Sequence, residues 1–218
     1  MALTYDDLVR DTPLTLQAQN VTLVENMPMI IRRAEDEAIL RLDHDAFRGR
    51  LPNLLTVGAG EGRLDLSTQP ARIMEVRSLR VIVDGTHYPL ERRNIERMEA
   101  IYPRWSQGVP RFYAEDDGLF VFRLFPSPDE SYQIEVHANL EPARLAPSVQ
   151  ESLLTRQYPR VTEMATLHQG AIFMRNTTDE QRYAANLDMA LAEVNSAIAR
   201  RRRDETGVKT VTTSNIGG

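Results

Sequence analysis

Apolar residues recur every three or four positions near both ends of the chain, and every second position through much of its middle. The first spacing is typical of amphipathic helices and the second of half-buried strands. The pattern predicts two helices, a block of about six strands with one inserted helix, then two long helices and a tail. This segregation favours an α+β fold: a helical bundle built from both chain ends, with an inserted antiparallel β-sheet unit and an extended C-terminal tail.

Changes in this pattern give the expected domain boundaries. We place the N-terminal helices of the bundle at 1–43, the antiparallel β unit with one short helix at 44–147, the C-terminal helices at 148–206, and the extended tail at 207–218. The last boundary falls at Gly207, because glycine commonly ends a helix. The tail, Val208–Gly218, is polar and β-prone and has no apolar core of its own.

Two helices are predicted before residue 43. Thr4 is suited to cap the first, and Pro13 is expected to keep that helix short. Asn26–Leu42 is the firmer helix, with Pro28 in its first turn. The charged residues around its apolar stripe are Arg32, Arg33, Glu35, Asp36, Glu37 and Arg41. Their mixed signs are typical of a solvated face with i,i+4 pairs, which we favour over a specific charged interface.

The middle of the chain contains clear strand signals. Ile73–Val83 is a good strand candidate, with an irregularity expected near Arg77 and Ser78. Asp84-Gly85 then predicts a hairpin turn, because these residues accept the positive φ angles that such a turn needs. A short helix is expected at Arg92–Ala100 before the chain becomes aromatic.

Three further strands are predicted in the aromatic stretch. Phe112–Ala114 and Leu119–Phe125 flank a turn that ends in Asp117-Gly118. Prolines at 126 and 128 separate the second of these strands from an alternating one that begins at Tyr132. Because short turns join consecutive strands here, we expect all three to pair as an antiparallel meander.

Residues typical of helix N-termini predict where the C-terminal helices begin. Ser148–Glu151 and Thr177–Glu180 match capping boxes, in which two side chains satisfy free backbone N–H groups of the first turn. Between them, Pro159 is suited to the first turn of a helix that is apolar on more than one side. His168 lies on an apolar stripe of that helix, and we expect it to be a hydrogen-bonded interior or interface residue.

Composition narrows the classes of function. The chain has 218 residues, 42% hydrophobic and 26% charged, which is typical of a globular protein. Its net charge of −5 gives no overall attraction to nucleic acid or to an anionic membrane. It contains no cysteine, which excludes disulfides, thiolate chemistry and cysteine-ligated zinc. No apolar run is long enough to span a bilayer, so we expect no association with a membrane. The N-terminal sequence does not resemble a signal peptide, so we expect the protein to be made in the cytosol.

Motifs for catalysis or metal binding are weak. The histidines are His44, His87, His137 and His168. They are scattered, and none has the spacing typical of a metal site. The glycines at 58, 60 and 62 precede a strand pattern, not the lysine and helix of a phosphate loop, so we favour a flexible connector.

A small metal-dependent hydrolase is the enzyme alternative. It would use Asp116, Asp117 and His137. The two aspartates are adjacent in a predicted hairpin turn, where neighbouring side chains point in different directions and a shared acid–base pair is not expected. We therefore predict that the chain is not an enzyme and uses no metal or cofactor.

Two groups of residues are candidates for contacts with partners. One is the basic run Arg200, Arg201, Arg202 and Arg203 at the end of the last predicted helix. In an acidic protein, compensation of the helix dipole or docking to an acidic partner is favoured over DNA contact. The other group is aromatic: a core by default, but large enough for thin strands that Trp105, Phe112 and Tyr113 are interface candidates.

The segment Trp105–Ala114, the strand Leu119–Phe125 and the Pro126-Ser127-Pro128 that follows resemble the head-to-tail connector (adaptor) proteins of tailed bacteriophages. Other passages are similar to that family as well. They are the helix sequence M-I-I-R-R-A-E-D-E-A-I-L-R-L, the strand and turn before Tyr88-Pro89-Leu90, and Leu154–Pro159 ahead of two helices. The resemblance covers most of the chain and is weakest over Leu51–Gly62.

The resemblance implies a structural virion protein of the neck, made in the bacterial host cytoplasm. It implies a homo-oligomeric ring, typically of twelve copies, bound beneath the portal protein, with a tail or nozzle protein below. It also implies a central channel for double-stranded DNA, which an acidic subunit would contact without specific binding. A structural protein elsewhere in the neck or tail is the alternative.

In such proteins a C-terminal segment adds to the portal. A polar, β-prone tail without a core can gain order by joining a partner's strands or groove. The resemblance therefore makes the end of the chain the expected docking element. The residues concerned are Arg200, Arg201, Arg202, Arg203, Val208, Lys209, Val211 and Ile216.

Overall fold

The computed structural model of the chain describes residues 3–18, 21–103 and 106–207. The helices are α1 (Tyr5–Thr15), α2 (Val21–Arg41), α3 (Ile95–Ile101), α4 (Leu153–Gln157), α5 (Pro159–Phe173) and α6 (Thr177–Gly207). The strands are β1 (Arg48–Arg50), β2 (Leu55–Val57), β3 (Arg63–Asp65), β4 (Ile73–Val83), β5 (Thr86–Pro89), β6 (Glu91–Arg92), β7 (Phe112–Glu115), β8 (Val121–Phe125) and β9 (Tyr132–Leu140). A 3₁₀ turn, His44–Phe47, follows α2.

These elements form two compact units. The helical unit comprises Met1–Ala46 and Pro142–Gly218, and the sheet unit comprises Phe47–Glu141. Helices from both ends of the chain share the first unit, and the strands and α3 lie in the second. The predicted α+β class is confirmed, with sheets that are mainly antiparallel. The predicted extended tail lies outside the described residues from Val208 onward.

In the helical unit, α5 is the central element, because α1, α2, α4 and α6 all pack against it. This position explains why α5 is apolar on more than one side, with Val161, Ala165 and Ala171 all buried. His168 Nδ1 lies 3.1 Å from Oε2 of Glu37 on α2. The prediction that His168 is a hydrogen-bonded interior residue is therefore confirmed.

The first helix starts as predicted and continues further. Thr4 accepts a hydrogen bond from the backbone N–H of Asp7, and the Asp7 carboxylate accepts one from the backbone N–H of Thr4, each at 3.1 Å. Pro13 lies inside α1 and does not end it, contrary to the prediction. Its ring is buried, and burial of apolar surface offsets the lost helical hydrogen bond.

Pro28 also lies in a helix interior, because α2 begins at Val21 and not near Asn26. The first-turn assignment of this proline was wrong. Leu23 and Met27 before it and Ile30 after it are buried in a single cluster. A helix-interior proline costs about 3 kcal/mol, and full burial of each such side chain gains about 1.5–3 kcal/mol, so packing keeps the helix continuous.

The capping box expected at Ser148–Glu151 is also wrong. The helix starts later, where Ser152 and Thr155 form the box across the first turn of α4. Ser148 lies instead in a tight turn, in which the backbone N–H of Val149 donates to the carbonyl of Ala146 at 2.8 Å. Beyond this turn, the backbone carbonyl of Gln150 accepts a hydrogen bond from the N–H of Tyr5 at 2.8 Å. A contact distant in sequence thus uses a group that a local helix would need.

The cap of α6 lies one residue earlier than the predicted Thr177–Glu180 box. Asn176 accepts from the backbone N–H of Asp179 at 3.2 Å, and its side-chain amide donates to the Asp179 carboxylate at 2.7 Å. From this cap α6 runs for 31 residues. That is about 46 Å of helix.

The sheet unit consists of two sheets that share one core. The first has the order β1-β9-β4-β5, with β2 also paired to β9, and all its pairs are antiparallel. The second has the order β3-β8-β7-β6, in which only β6 and β7 are parallel. One apolar cluster takes Val81 and Ile134 from the first sheet and Phe122 and Leu124 from the second. The two sheets therefore face each other across this core.

The predictions for β4 are confirmed in detail. The strand covers Ile73–Val83, and its register against β9 shifts between Val76 and Ser78, where an irregularity was expected. Asp84 and Gly85 have φ angles of 50° and 75° and connect β4 to β5. Positive φ at both central residues is what a two-residue hairpin turn needs.

The predicted three-stranded meander is wrong in its last strand. β7 pairs with β8 as expected, but β9 lies in the other sheet, between β4 on one side and β1 and β2 on the other. Tyr132, Ile134, Val136 and Ala138 of β9 are all buried in the shared core. Pairing with the long strand β4 buries more of this apolar side than the short edge of β8 can.

The other face of the second sheet is covered by α3. Met98 of α3 packs with Ala114 of β7 and Phe125 of β8. This explains the near-continuous apolar sequence of β8, because its side chains are buried alternately against the first sheet and against α3. The helix was expected at Arg92–Ala100 and begins a few residues later, at Ile95.

Candidate docking surfaces and the catalytic alternative

The basic run lies in the last turns of α6, and one of its members is used within the helical unit. The Arg202 guanidinium contacts the carboxylates of Asp43 and Asp45 at 2.9 and 2.8 Å. Arg202 thus holds the end of α6 against the turn that follows α2, while about half of its side chain stays exposed. The side chains of Arg200 and Arg201 are exposed.

The three interface aromatics lie in different environments. Tyr113 is only 3% exposed and packs edge-on against Phe122, with ring centroids 5.7 Å apart. Its assignment to an interface is therefore wrong, because the ring belongs to the core between the sheets. Phe112 is half-buried beside Tyr102, at a centroid distance of 6.1 Å. Trp105 lies outside the described residues.

Phe112 also borders an open cavity in the sheet unit. This cavity has a volume of about 550 Å³ and is lined by Val83, Tyr88, Pro89, Glu91, Val109, Pro110, Arg111 and Phe112. Tyr88 and Val109 are exposed at its rim. The lining is mostly apolar, so this part of the sheet unit can receive a hydrophobic side chain from a partner.

The residues of the hydrolase alternative are not brought together. Asp116 follows β7, and both of its carboxylate oxygens accept from the Arg123 guanidinium, at 3.1 and 3.2 Å. Asp117 is exposed in the turn that follows. His137 lies on β9, in the other sheet, within 3.5 Å of Glu135. The described geometry therefore gives these three residues no common substrate position.

A buried carboxylate that the sequence pattern does not indicate lies on the outer face of the first sheet. Glu135 is 3% exposed. Arg50 contacts its Oε1 at 2.7 Å, and His87 contacts its Oε2 at 2.9 Å. His137 and Arg80 also lie near Oε2, at 3.5 and 3.9 Å. The alternation of apolar and polar residues along β9 places Glu135 on the polar side of the strand. Its burial cannot be read from that pattern, because Arg50, Arg80 and His87, which cover it, lie on three other strands.

Because of these contacts, the stability of the sheet unit should vary with pH in the acid range. The Arg50 guanidinium, followed by the two imidazoles, lowers the pKa of Glu135 to about 2, against the opposing effect of burial. A carboxyl whose pKa is depressed on folding stabilises the fold above its ordinary pKa near 4.5. That contribution is lost as the pH falls from about 4.5 towards 2.

We expect Glu135→Gln to lower the free energy of unfolding at pH 7 by about 1–2 kcal/mol, because the charge-assisted hydrogen bonds are weakened. In thermal unfolding measured between pH 7 and pH 2.5, Glu135→Gln should also lose less stability in acid than the wild type does. Glu96→Gln is the control, since Glu96 is exposed on α3 in the same unit. Equal acid sensitivity of Glu135→Gln and the wild type would contradict the assignment.

Comparison with known families supports the structural interpretation. A sequence model of the SU10 adaptor protein family matches residues 3–213. The chain belongs to the SU10 adaptor protein family. No curated protein matches it at a significant level.

SU10 adaptors are phage head-to-tail adaptors, so the resemblance noted from the sequence is confirmed at the level of the family. As an SU10 adaptor, the chain is a structural phage protein whose family implies association with portal and tail proteins in the virion neck. The tail residues expected to dock, Val208, Lys209, Val211 and Ile216, lie outside the described residues. The family match includes the first three of them.

Two features are absent from the described part of this SU10 adaptor. Among residues 3–18, 21–103 and 106–207, no group of three or more His, Asp or Glu side chains is arranged to hold a metal ion. In the same ranges, each helix is too short or too polar to cross a bilayer. The loop with glycines at 58, 60 and 62 joins β2 to β3, so a strand follows it, as the sequence predicted.

Proposed function

We propose that this SU10 adaptor forms a homo-oligomeric ring of twelve copies that binds beneath the portal protein. The ring joins the capsid to a tail or nozzle protein below, and double-stranded DNA passes through its central channel. The single observation that carries this proposal is the family match over residues 3–213. A subunit of a ring needs two complementary surfaces and no catalytic pocket, which is consistent with the dispersed Asp116, Asp117 and His137.

Charge supports passive passage of DNA through the ring. The chain carries a net charge of −5, so its average surface repels phosphate groups. Affinity for DNA comes mainly from arginine and lysine contacts to phosphates. Several arginines are already paired with carboxylates of their own unit, including Arg123 and Arg202. An acidic subunit with neutralised arginines therefore suits a channel that does not bind DNA tightly.

The docking element of the proposal is the end of the chain. Val208, Lys209, Val211 and Ile216 combine β-prone and apolar residues, which suits addition of a strand to the portal or insertion into its groove. The exposed Arg200 and Arg201 at the end of α6 would contact acidic groups beside that groove. In the sheet unit, Phe112 and its cavity offer a second contact for a neck partner. Trp105 is a further candidate from the sequence alone.

Deletion of residues 208–218 tests this assignment. The truncated chain should keep the circular dichroism spectrum and thermal unfolding of the full chain, because the tail has no core of its own. It should lose binding to the portal protein of the same phage, measured by co-sedimentation and by electron microscopy of the mixture.

The matched control is a chain whose last eleven residues are scrambled, which keeps the length, charge and composition of Val208–Gly218. If docking depends on the tail sequence, the scrambled chain should fail as the deletion does. Truncated protein that still forms portal-bound rings would show that the tail is not the docking element. A full chain that binds another neck or tail protein but not the portal would place the protein elsewhere in the virion.

A further inference from the structure

The outer face of the first sheet, which points away from the shared core, carries more positive than negative charge. Strand register decides which side chains share this face, because neighbouring strands place paired residues on the same side. Its charged and titratable members at paired positions are Arg48, Arg50, Glu75, Arg80, His87, Glu135 and His137. Three arginines and two histidines thus accompany two glutamates, in a chain whose net charge is −5.

The positive charge is accessible in the middle of this face, and the negative charge there is not. The side chain of Glu135 is 3% exposed, whereas those of Arg50, Arg80 and His87 are 63%, 45% and 43% exposed. Arg80 lies 3.9 Å from the Glu135 carboxylate, beyond hydrogen-bond distance, so its N–H groups can be donated to a ligand. A molecule that approaches this face therefore meets cations that lie over a buried carboxylate.

The exposed acids of this region lie towards the two ends of the face. At one end the Glu75 carboxylate accepts a hydrogen bond from the side-chain amide of Asn139 at 2.9 Å. At the other end Asp84 lies in the turn between β4 and β5. Asp84 is four residues from Arg80 along the chain, which is about 13 Å in a strand. The arginine pair Arg50 and Arg80 is therefore the centre of the positive region.

The uncharged residues of the face favour a nucleic acid over a protein as its ligand. Interfaces between proteins usually have an apolar centre with a polar rim, whereas protein–DNA interfaces are polar and positively charged throughout. The uncharged members at paired positions are mostly polar: Thr56, Ser78, Gln133 and Asn139, with Ile82 and Pro89 as the apolar ones. Arginines also contact phosphate oxygens with two parallel N–H groups, a geometry that suits a DNA backbone.

We propose that the outer face of the first sheet contacts the backbone phosphates of double-stranded DNA through Arg50 and Arg80, and that this face therefore lines the channel of the ring. The inference rests on the proposed function and assigns the surface that faces the DNA. Contacts to phosphates carry no sequence information, so they suit DNA that moves past the site. Glu135 keeps the surplus of charge small, so each contact is weak and DNA can pass.

Binding of a short fluorescent DNA duplex to the full chain, measured by anisotropy at several low salt concentrations, tests the phosphate contacts. Arg80→Gln should weaken binding by about threefold or more and lower the salt slope by about one, because one phosphate contact is lost. Glu135→Gln should strengthen binding, because it removes the negative charge beneath the arginines. A purely structural role would give both substitutions the same sign, because both disturb the same cluster.

Arg63→Gln is the matched control, since Arg63 is exposed on β3 of the second sheet. It should leave binding unchanged, and a loss equal to that of Arg80→Gln would contradict the assignment. Gln133→Arg adds a cation to the face without removing a contact of the cluster, so it should strengthen binding even if other variants fold poorly. Displacement of the duplex by inorganic phosphate or by polyglutamate, at the same charge concentration as unlabelled duplex, would indicate a free-anion or acidic-protein site and contradict the proposal.

The absence of cysteine allows a direct test of position in the ring. Gln133→Cys is coupled to a photoreactive label and bound to portal-bearing capsids that contain DNA. Illumination should cross-link it to the DNA. Glu96→Cys is the control, since Glu96 is exposed on α3, which covers the opposite side of the sheet unit. It should give no cross-link to DNA.

The outcomes separate the DNA-facing surface from the ring. Portal-bound rings in which the label on Gln133→Cys does not reach DNA contradict the surface and leave the proposed function standing. Rings in which Glu96→Cys reaches DNA and Gln133→Cys does not would place the other side of the sheet unit in the channel. A chain that forms no ring on portal-bearing capsids contradicts the proposed function itself, and the anisotropy measurements then still decide whether the face binds phosphate groups.

Discussion

Ile134→Ala is expected to lower the free energy of unfolding of the sheet unit by about 2–5 kcal/mol. Ile134 is fully buried, and its strand β9 is the central strand of the first sheet. The side chain lies in the core shared by both sheets, where Val81 of β4 pairs with it on one side and Leu55 of β2 on the other. Truncation leaves a cavity that rigid neighbouring strands cannot fill.

Urea unfolding followed by far-ultraviolet circular dichroism measures this cost. Ile134→Val should lose only about 0.5–1.5 kcal/mol, because it removes one methyl group and keeps the β-branched shape. Gln133→Ala is the neighbouring control: Gln133 is exposed, and its side chain points to the opposite side of the sheet. If Ile134→Ala cost no more than Gln133→Ala, β9 would not be the buried centre of the sheet.

Glu35→Ala is expected to destabilise the helical unit by about 1–3 kcal/mol. Glu35 is 1% exposed, and its two carboxylate oxygens accept from the backbone N–H of Leu145 at 3.1 and 3.3 Å. Alanine leaves that N–H without an acceptor in a dry environment. Nearby, Arg144 and Asp36 form an ion pair at 2.8 Å, so the segment returning from the sheet unit is held to α2 at two adjacent points.

Glu35→Gln separates the hydrogen bond from the charge. Burial raises the pKa of Glu35, opposed by the Leu145 N–H and then by Arg144. A carboxyl whose pKa is raised on folding binds its proton more tightly in the folded state, so stability falls as the pH rises above about 4.5. Glutamine keeps an acceptor oxygen and has no charge, so it should cost less than alanine at pH 7 and remove this slope.

Thermal unfolding of the wild type and both Glu35 variants between pH 2.5 and pH 8 measures these effects. The slope assigned to Glu35 lies above about pH 4.5, whereas the loss assigned to Glu135 lies below it, so the two carboxyls are distinguished in one titration. Equal stability of Glu35→Ala and Glu35→Gln at pH 7 would contradict a role for the hydrogen bond to Leu145.

Local signals predicted those elements that local chemistry controls. The Thr4 cap, the limits of β4 and the Asp84-Gly85 turn each depend on residues within a few positions of one another. The irregularity near Ser78 was also visible, as a break in alternation. Sequence patterns failed where a distant segment changed the local preference. Pro13 lies within α1 because its surroundings bury it.

For the candidate docking surfaces, too, the sequence predicted some features and not others. The basic run and the aromatic cluster could be found from composition, but which of their members are free could not. Tyr113 became a core residue because a second sheet packs on it, and Arg202 was paired by aspartates more than 150 residues away in sequence. The roles of Glu35 and Glu135 were missed, because each carboxylate is covered by segments distant in sequence.

By itself, the sequence determined the α+β class, the membership of the chain in a phage adaptor family and the lack of cysteine, because periodicity, motifs and composition are properties of neighbouring residues. Only the tertiary structure decided that β9 leaves the aromatic strands for the centre of the other sheet, and that α2 and α6 keep apolar residues exposed. Strand pairing and burial depend on which distant segments meet, and that depends on the total apolar area that the folded chain can remove from water.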